Sequence, residues 1–367
     1  MAEISNISIE TLRSFIRPTV RQAHTYRVGG PRDLPVKLNQ NESPFDLPPS
    51  LKARILEKFQ QIPWNRYPTE QPEALQHALA RKLDLSPESI LIGNGSNELT
   101  YTIGLSLIQS QSPVVLPRPM FALYEKVVHL YEGKLILIAP RPDYHFDIEA
   151  LIKAIRTHHP ILTVVTTPNN PTGLAIPYES VERIVQEASG FVLIDEAYVE
   201  FTDGQGMLPL LHKYPHVLLM RTFSKAFGLA GLRIGYLLGH PSIIQEFMKS
   251  RLPFMVDRLA ETVALTLLEQ ETLVQEHVKF LIQERNRMLQ ELHSWDAIEV
   301  LPSQTNFFLL RTPLPAEQLV AALAQEGVLV RNVSSYPSLK NFVRVNVGTP
   351  TENSLFIQAL KKTLQAR

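Results

Sequence analysis

RTFSKAFGLAGLRIGY, residues 221–236, is the stretch on which the reading of this chain turns. It sets Lys225 just beyond the apolar run HVLLM (residues 216–220), with Ser224 beside it, Arg233 eight residues on, and three glycines between or flanking them. An amine at the end of a buried strand, next to a hydroxyl and a guanidinium that can share one anion, suits a small molecule carrying both an aldehyde and a phosphate. Pyridoxal 5'-phosphate is the common cofactor of that kind, and proteins hold it as a Schiff base with lysine. An SK dipeptide in a glycine-rich loop is by itself an ordinary surface feature. What gives it weight lies elsewhere in the chain.

Bulk properties narrow the field. A chain of 367 residues exceeds one compact core and suggests two domains. Its composition, 44% hydrophobic and 20% charged, is that of a globular enzyme and excludes a disordered chain. Lys plus Arg and Asp plus Glu both number 36, so no net field draws the chain to nucleic acid or to an anionic membrane. The absence of cysteine removes disulfides, thiolate nucleophiles and cysteine metal sites. The 11 histidines show no HExxH or comparable spacing, so no metal is expected. The start, MAEISNISIETLRSF, is polar and acidic where a secretory signal would be basic and then apolar. No apolar run approaches the roughly 20 residues that span a bilayer. The expectation is a cytoplasmic protein.

From Ser86 to about Gly239, short apolar runs alternate with amphipathic segments. Ile90–Ile92, Val114–Leu116, Leu135–Ile138, Leu162–Val165, Phe191–Ile194 and His216–Met220 read as strands. Unbroken Val/Ile/Leu runs suit strands covered on both faces, as in a mainly parallel sheet. Ser96–Gln109 and Pro177–Ala188 supply helices between them, which makes an α/β layout. A helix-like run from Ile243 to Leu292 is interrupted by Pro253. Beyond it, strands at Thr305–Leu310, Val328–Val330 and Phe342–Val345 with a helix at Ala316–Glu326 read as a smaller α+β unit. The first 45 residues lack a strong core pattern and read as an arm.

Four further clusters fit one ligand. GNGSNELT (residues 93–100) joins a strand to a helix, and amides around Ser96 and Asn97 at the helix start suit a phosphate. TTPNNPTG (166–173) follows a strand; its asparagines fit either an Asx turn or, through the Asn170 amide, donation to a ring oxygen. In VLIDEAYVEF, Asp195 ends an apolar strand, where a carboxylate is costly to bury unless it caps a helix or pairs with a cation such as a protonated pyridine nitrogen. Tyr198 follows three residues on. Pro119, Phe121 and Tyr124 form P-x-F-x-x-Y, where an aromatic ring either joins the core or stacks on a flat heteroaromatic. All fall at the C-terminal ends of the expected parallel strands, where open α/β sheets bind ligands.

Taken together these motifs resemble the fold-type I aminotransferases, specifically the histidinol-phosphate aminotransferase family. LNQNESPF, RYPTEQP, GNGSNE, TPNNPTG, VLIDEAYVEF, RTFSKAFGLAGLRIGY, QTNFFLLR, VLVRN and FVRVNVGTPTEN carry the resemblance from about Val36 to Asn353. It implies a large domain with a mainly parallel seven-stranded sheet and a smaller α+β C-terminal domain. The boundaries expected are an arm over 1–45, a pyridoxal phosphate-binding domain over 46–258 and a small domain over 259–367.

The resemblance also implies roles. Lys225 becomes the Schiff-base lysine and proton shuttle, Asp195 the partner of the pyridine nitrogen, and Asn170 and Tyr198 the partners of the ring oxygen. Phe121 stacks on the ring, where many relatives have tyrosine. Ser96, Asn97, Ser224 and Arg233 bind the cofactor phosphate, and Tyr67 reaches that of a neighbouring subunit, which implies a homodimer. Arg344, assisted by Arg331, holds the substrate carboxylate or phosphate, and Asn41 joins the substrate site. The substrates implied are histidinol phosphate and glutamate or 2-oxoglutarate. One departure stands out: the family's N-terminal PY motif is missing, and only Tyr26 is near its place in IRPTVRQAHTYRVGG.

An aromatic amino acid aminotransferase and a threonine-phosphate decarboxylase would use the same machinery. A transcription regulator would need a winged-helix region ahead of the fold, for which about 45 residues leave no room.

Overall fold

The computed structural model describes residues 7–25, 34–202 and 206–365. Its thirteen strands are β1 (Val36–Lys37), β2 (Ile90–Gly93), β3 (Pro113–Pro117), β4 (Lys134–Ile138), β5 (Leu162–Thr166), β6 (Phe191–Asp195), β7 (Val217–Thr222), β8 (Gly235–Leu238), β9 (Glu299–Val300), β10 (Phe307–Arg311), β11 (Val328–Leu329), β12 (Arg331–Asn332) and β13 (Phe342–Asn346). The expected α/β class is borne out. Seven strands form one sheet in the order β2-β8-β7-β6-β5-β3-β4.

The pairs from β4 through β7 are parallel, whereas β8 is antiparallel to both β7 and β2. β2 therefore runs with the other five, and six strands end on one edge. β8 was not anticipated, because its sequence lies inside the glycine-rich motif, where LRIGYLLG carries no punctuation to set a strand apart. Successive strand residues face opposite sides of a sheet. Every residue of β5 and β7 is nevertheless buried, and Val164, Val165, Leu193, Ile194 and Leu218–Met220 are almost wholly excluded from water. Helices such as Ile148–His158, which meets β3 and β4, and Gly95–Leu107, which meets β2, β7 and β8, cover the sheet. Each fully buried Val, Leu or Ile stabilises the fold by roughly 1.5–3 kcal/mol.

The helix-like run after residue 240 resolves into Pro241–Ser250, Arg258–Leu268 and Glu271–His293, with the break around Pro253. The helix Arg258–Leu268 crosses the expected boundary at 258 and packs on the helices Pro49–Gln60 and Glu73–Leu83. The C-terminal strands form a sheet in the order β12-β13-β10-β9.

Two local expectations need correction. Val328–Val330 does not run on as one strand: β11 pairs with β1 in parallel, and the chain turns at Val330 so that β12 pairs with β13. The arm is also not all peripheral. Val36 and Leu38 are buried, and Leu38 bonds both Leu329 and Asn346 through its backbone. Two residues of strand whose partner lies about 290 positions away leave no periodic signal to read.

Candidate active site

Ser96, Asn97, Phe121, Asn170, Asp195, Ser224 and Lys225 end or follow strands β2, β3, β5, β6 and β7 at the common edge of the six co-directional strands, and Arg331 and Arg344 come from β12 and β13. β2 leads into the helix Gly95–Leu107. Gly95 has a φ of +77°, and a Cβ there would lie 2.4 Å from an Arg233 guanidinium nitrogen. A Cβ on Gly235 would meet the Ser96 amide nitrogen at 2.4 Å. Both glycines are thus required for Arg233 and β8 to close on the first helical turn. Arg233 Nη1 donates to Ser224 Oγ at 3.3 Å and to the Ala230 carbonyl at 3.2 Å. The first turn of that helix, the Ser224 hydroxyl and the Arg233 guanidinium thus lie close together. Helix-start amides, a hydroxyl and a guanidinium are groups that suit a phosphate.

Asp195, at the end of β6, is held at both oxygens. Oδ1 accepts from the Ala197 amide at 3.0 Å and Oδ2 from the Tyr124 hydroxyl at 2.8 Å. Burial raises its carboxyl above the usual range, while these two hydrogen bonds pull it down. The helix-cap alternative does not describe it. The Ala197 bond is local, but the second donor comes from 71 residues away. A partly buried carboxylate in this place is stabilised by a cationic partner, as a pyridinium would be.

The two asparagines after β5 divide their work. Asn169 builds the turn: its Nδ2 donates to the Pro119 carbonyl at 2.8 Å and to Thr172 Oγ1 at 2.9 Å, and its carbonyl accepts from Gly173 at 2.7 Å. Asn170 instead points its Oδ1 at Arg344 Nη1, 2.6 Å away. A guanidinium only donates, so this contact fixes the amide's orientation and leaves its NH2 to donate to a ligand oxygen.

Tyr198 is fixed in a similar way. Its hydroxyl accepts from Asn41 Nδ2 at 2.7 Å, its ring meets Phe307 edge-on at 5.2 Å, and burial pushes its pKa up to about 12. The phenol stays neutral and keeps a proton to donate.

Lys225 Nζ lies 3.3 Å from the Gln40 carbonyl and 5.9 Å from the centre of the Tyr198 ring. Burial, then the positive charge of Arg344, lowers its pKa to about 7, against an opposing pull from Glu42. Near neutrality a large share of this amine is unprotonated and nucleophilic. Arg344, on β13, also donates to the Asn39 carbonyl at 3.0 Å and lies 5.2 Å from the centre of the Phe307 ring. Arg331 sits directly opposite it across the β12–β13 ladder. Residues opposed in this way present side chains on the same face.

The remaining predicted residues are placed as follows. Phe121 is half-buried against the core in the turn ahead of the helix Leu123–Leu130, where its carbonyl accepts from the Tyr124 amide at 3.2 Å. Tyr67 is 79% exposed, its ring stacked on Phe254 at 4.9 Å. Tyr26 lies outside the described residues. Sequence reasoning did not find the role of Tyr124 toward Asp195, nor the carbonyls of Asn39 and Gln40. Main-chain oxygens leave no mark in a sequence, and the LNQNES run was the only local hint for either.

The site brings together a guanidinium beside a helix start, a carboxylate held at both oxygens and a lysine amine of lowered pKa. The family model for aminotransferase class I and II matches residues 35–360. The chain is a member of the class I and II aminotransferases. It is 41% identical over 347 residues to a histidinol-phosphate aminotransferase of Chlorobaculum tepidum, an alignment covering 95% of this chain and 99% of that one. A histidinol-phosphate aminotransferase of Chlorobaculum parvum is 40% identical over 349 residues, covering 95% and 98%. Among solved structures, the histidinol-phosphate aminotransferase of Sinorhizobium meliloti in complex with pyridoxal-5'-phosphate superposes with a TM-score of 0.85 at 27% identity, covering 96% of this chain and 98% of that one. Among the described residues, no helix is long and apolar enough to cross a membrane.

Proposed function

We propose that this aminotransferase uses pyridoxal phosphate to take the amino group from histidinol phosphate, forming imidazole acetol phosphate, and passes it to 2-oxoglutarate to give glutamate. The observation that carries the substrate is the pair of arginines facing each other across β12 and β13, beside Asn170 and near Lys225. The relatives named above support the same reading.

When bound, the cofactor supplies an aldehyde for covalent capture and a ring able to accept the electron pair left on the substrate carbon. Lys225 would hold that aldehyde through its neutral amine and would carry the proton of the substrate carbon. Asp195 would pair with the ring nitrogen, and Asn170 and Tyr198, each oriented by its own partner, would donate to the ring oxygen. Phe121 would stack on the ring, and Ser96, Asn97, Ser224 and Arg233 would hold the phosphate. Arg344 and Arg331 would bind the substrate's anionic group, with Asn41 buttressing Tyr198 at the substrate side.

The wider reading divides the chain into an arm (1–45), a cofactor-binding domain (46–258) and a small domain (259–367). It makes the protein a cytoplasmic homodimer in which Tyr67 reaches the neighbouring cofactor phosphate. The exposed apolar surface of Trp64, Tyr67, Leu252 and Phe254 supports such an interface.

The substrate is tested with Arg331→Lys. Arginine's planar fork holds a dianionic phosphate in two bonds, and lysine cannot copy it. The specificity constant for histidinol phosphate should fall much more than those for phenylalanine and glutamate. Equal losses for all three would favour a general aromatic aminotransferase, and no loss for any would remove Arg331 from the site.

A further inference from the structure

Tyr124 is a buried tyrosine with a charged partner far away in sequence. It lies in the first turn of the helix Leu123–Leu130, reached through the same turn that presents Phe121. Only 4% of its surface is exposed. Its hydroxyl proton goes to Asp195 Oδ2 at 2.8 Å. An ionised carboxylate cannot return a proton, so the direction of this bond is settled by chemistry.

Burial, with the Asp195 charge next to it, holds the Tyr124 phenol well above its ordinary pKa, so it remains a donor across the working range.

We propose that Tyr124 is a positioning residue for the reaction: its hydroxyl, reaching Asp195 from 71 residues away, fixes the orientation and charge of that carboxylate. The proposal rests on the reading of Asp195 as the partner of the cofactor ring. Of the two donors on Asp195, the Ala197 amide is supplied by the local turn, which any residue at 197 except proline would also provide. The Tyr124 bond depends on one side chain. Phenylalanine at 124 would preserve the ring and its packing while deleting only that donor.

The test uses the full-length chain freed of cofactor and carrying ¹³C-labelled aspartate and tyrosine. In Tyr124→Phe the Asp195 carboxyl, followed by NMR, should titrate about one unit or more higher than in the wild type, because a hydrogen bond to the charged form has been lost. In the wild type, the Tyr124 Cζ resonance should shift with the same midpoint as Asp195. A folded Tyr124→Phe protein with an unmoved Asp195 midpoint overturns the proposal. So does a wild-type Tyr124 resonance indifferent to the Asp195 titration, a measurement that does not depend on the variant folding. Affinity for pyridoxal phosphate is then measured in Asp195→Asn. An unchanged dissociation constant there, with the Tyr124 shift intact, would sink the reading of Asp195 instead.

Discussion

The lowered pKa of Lys225 is caused by named neighbours, so it should move in opposite directions when they are changed. Arg344→Met removes the largest charge contribution opposing protonation of the amine, and Glu42→Gln removes one favouring it. A magnitude for the first follows from the geometry. The Arg344 guanidinium is 5.2 Å from the centre of the Phe307 ring, that ring is 5.2 Å from the Tyr198 ring, and Lys225 Nζ is 5.9 Å from the Tyr198 ring. Laid end to end, these steps limit the charge separation to about 16 Å, where two unit charges at an effective dielectric of about 20 repel by roughly 1 kcal/mol. That is a little under one pKa unit at about 1.36 kcal/mol per unit, and a shorter true separation makes it larger.

The midpoint near 7 should therefore rise by about one unit in Arg344→Met. In Glu42→Gln it should fall, by less, since Glu42 already pairs with Lys37 at 2.7 Å and both are open to solvent. Only the unprotonated amine attacks an aldehyde, so the rate of capturing pyridoxal phosphate should climb with pH through this midpoint and then level off. Stopped-flow absorbance across pH 5.5–10 on cofactor-free protein reads it, taking the midpoint and not the plateau. Midpoints that stay put in both variants, or that move the same way, would refute the electrostatic account. The linkage has a defined sign. Between about 7 and the ordinary lysine value of 10.5 the folded chain binds fewer protons here than the unfolded one. Its stability therefore rises with pH across that window, and Lys225→Met should flatten the rise.

Lys225→Ala should abolish turnover and the borohydride-reducible link to the cofactor, and a pyridoxyl label mapped to another lysine in the wild type would reassign the site. Asp195→Asn should cost roughly 10²-fold or more in the rate of the half-reaction, because a neutral amide no longer holds the ring nitrogen's proton. A variant within a few-fold of wild type would reduce Asp195 to a turn residue. Gly235→Ala should drive a Cβ against the Ser96 amide nitrogen, 2.4 Å away, and displace the helix start. At the 1–3 kcal/mol typical of overpacking, affinity for pyridoxal phosphate should fall roughly 10- to 100-fold, and fluorescence titration with unchanged binding would show that this turn does not hold the phosphate.

What the sequence made legible follows from where each signal is stored. Strands buried on both faces are written as unbroken apolar runs, so β2 through β7 could be placed to within a residue or two. The residues at their ends could then be collected onto one edge by the direction rule alone. Lys225, Asp195, Asn170 and Ser224 were proposed for the site because each ends such a run or lies within a few residues of one. Arg331 and Arg344 were paired from spacing, and the ladder sets them opposite each other. The illegible part is what comes from far along the chain or from the backbone. Val36–Lys37 pairs with Val328–Leu329, the Gln40 and Asn39 carbonyls face Lys225 and Arg344, and Tyr124 reaches Asp195 across 71 positions. None of these carries a periodicity, because each is fixed by tertiary packing and not by its own neighbours. The same division explains the chemistry. Each local motif supplies a reacting group, but the pKa of Lys225, the amide orientation of Asn170 and the hydroxyl held on Asp195 are set by residues of other motifs far along the chain. A chain with Lys225, Asp195 and Asn170 intact in their motifs and Tyr124, Asn41 or Arg344 altered would still read as an aminotransferase, yet its site would be mistuned.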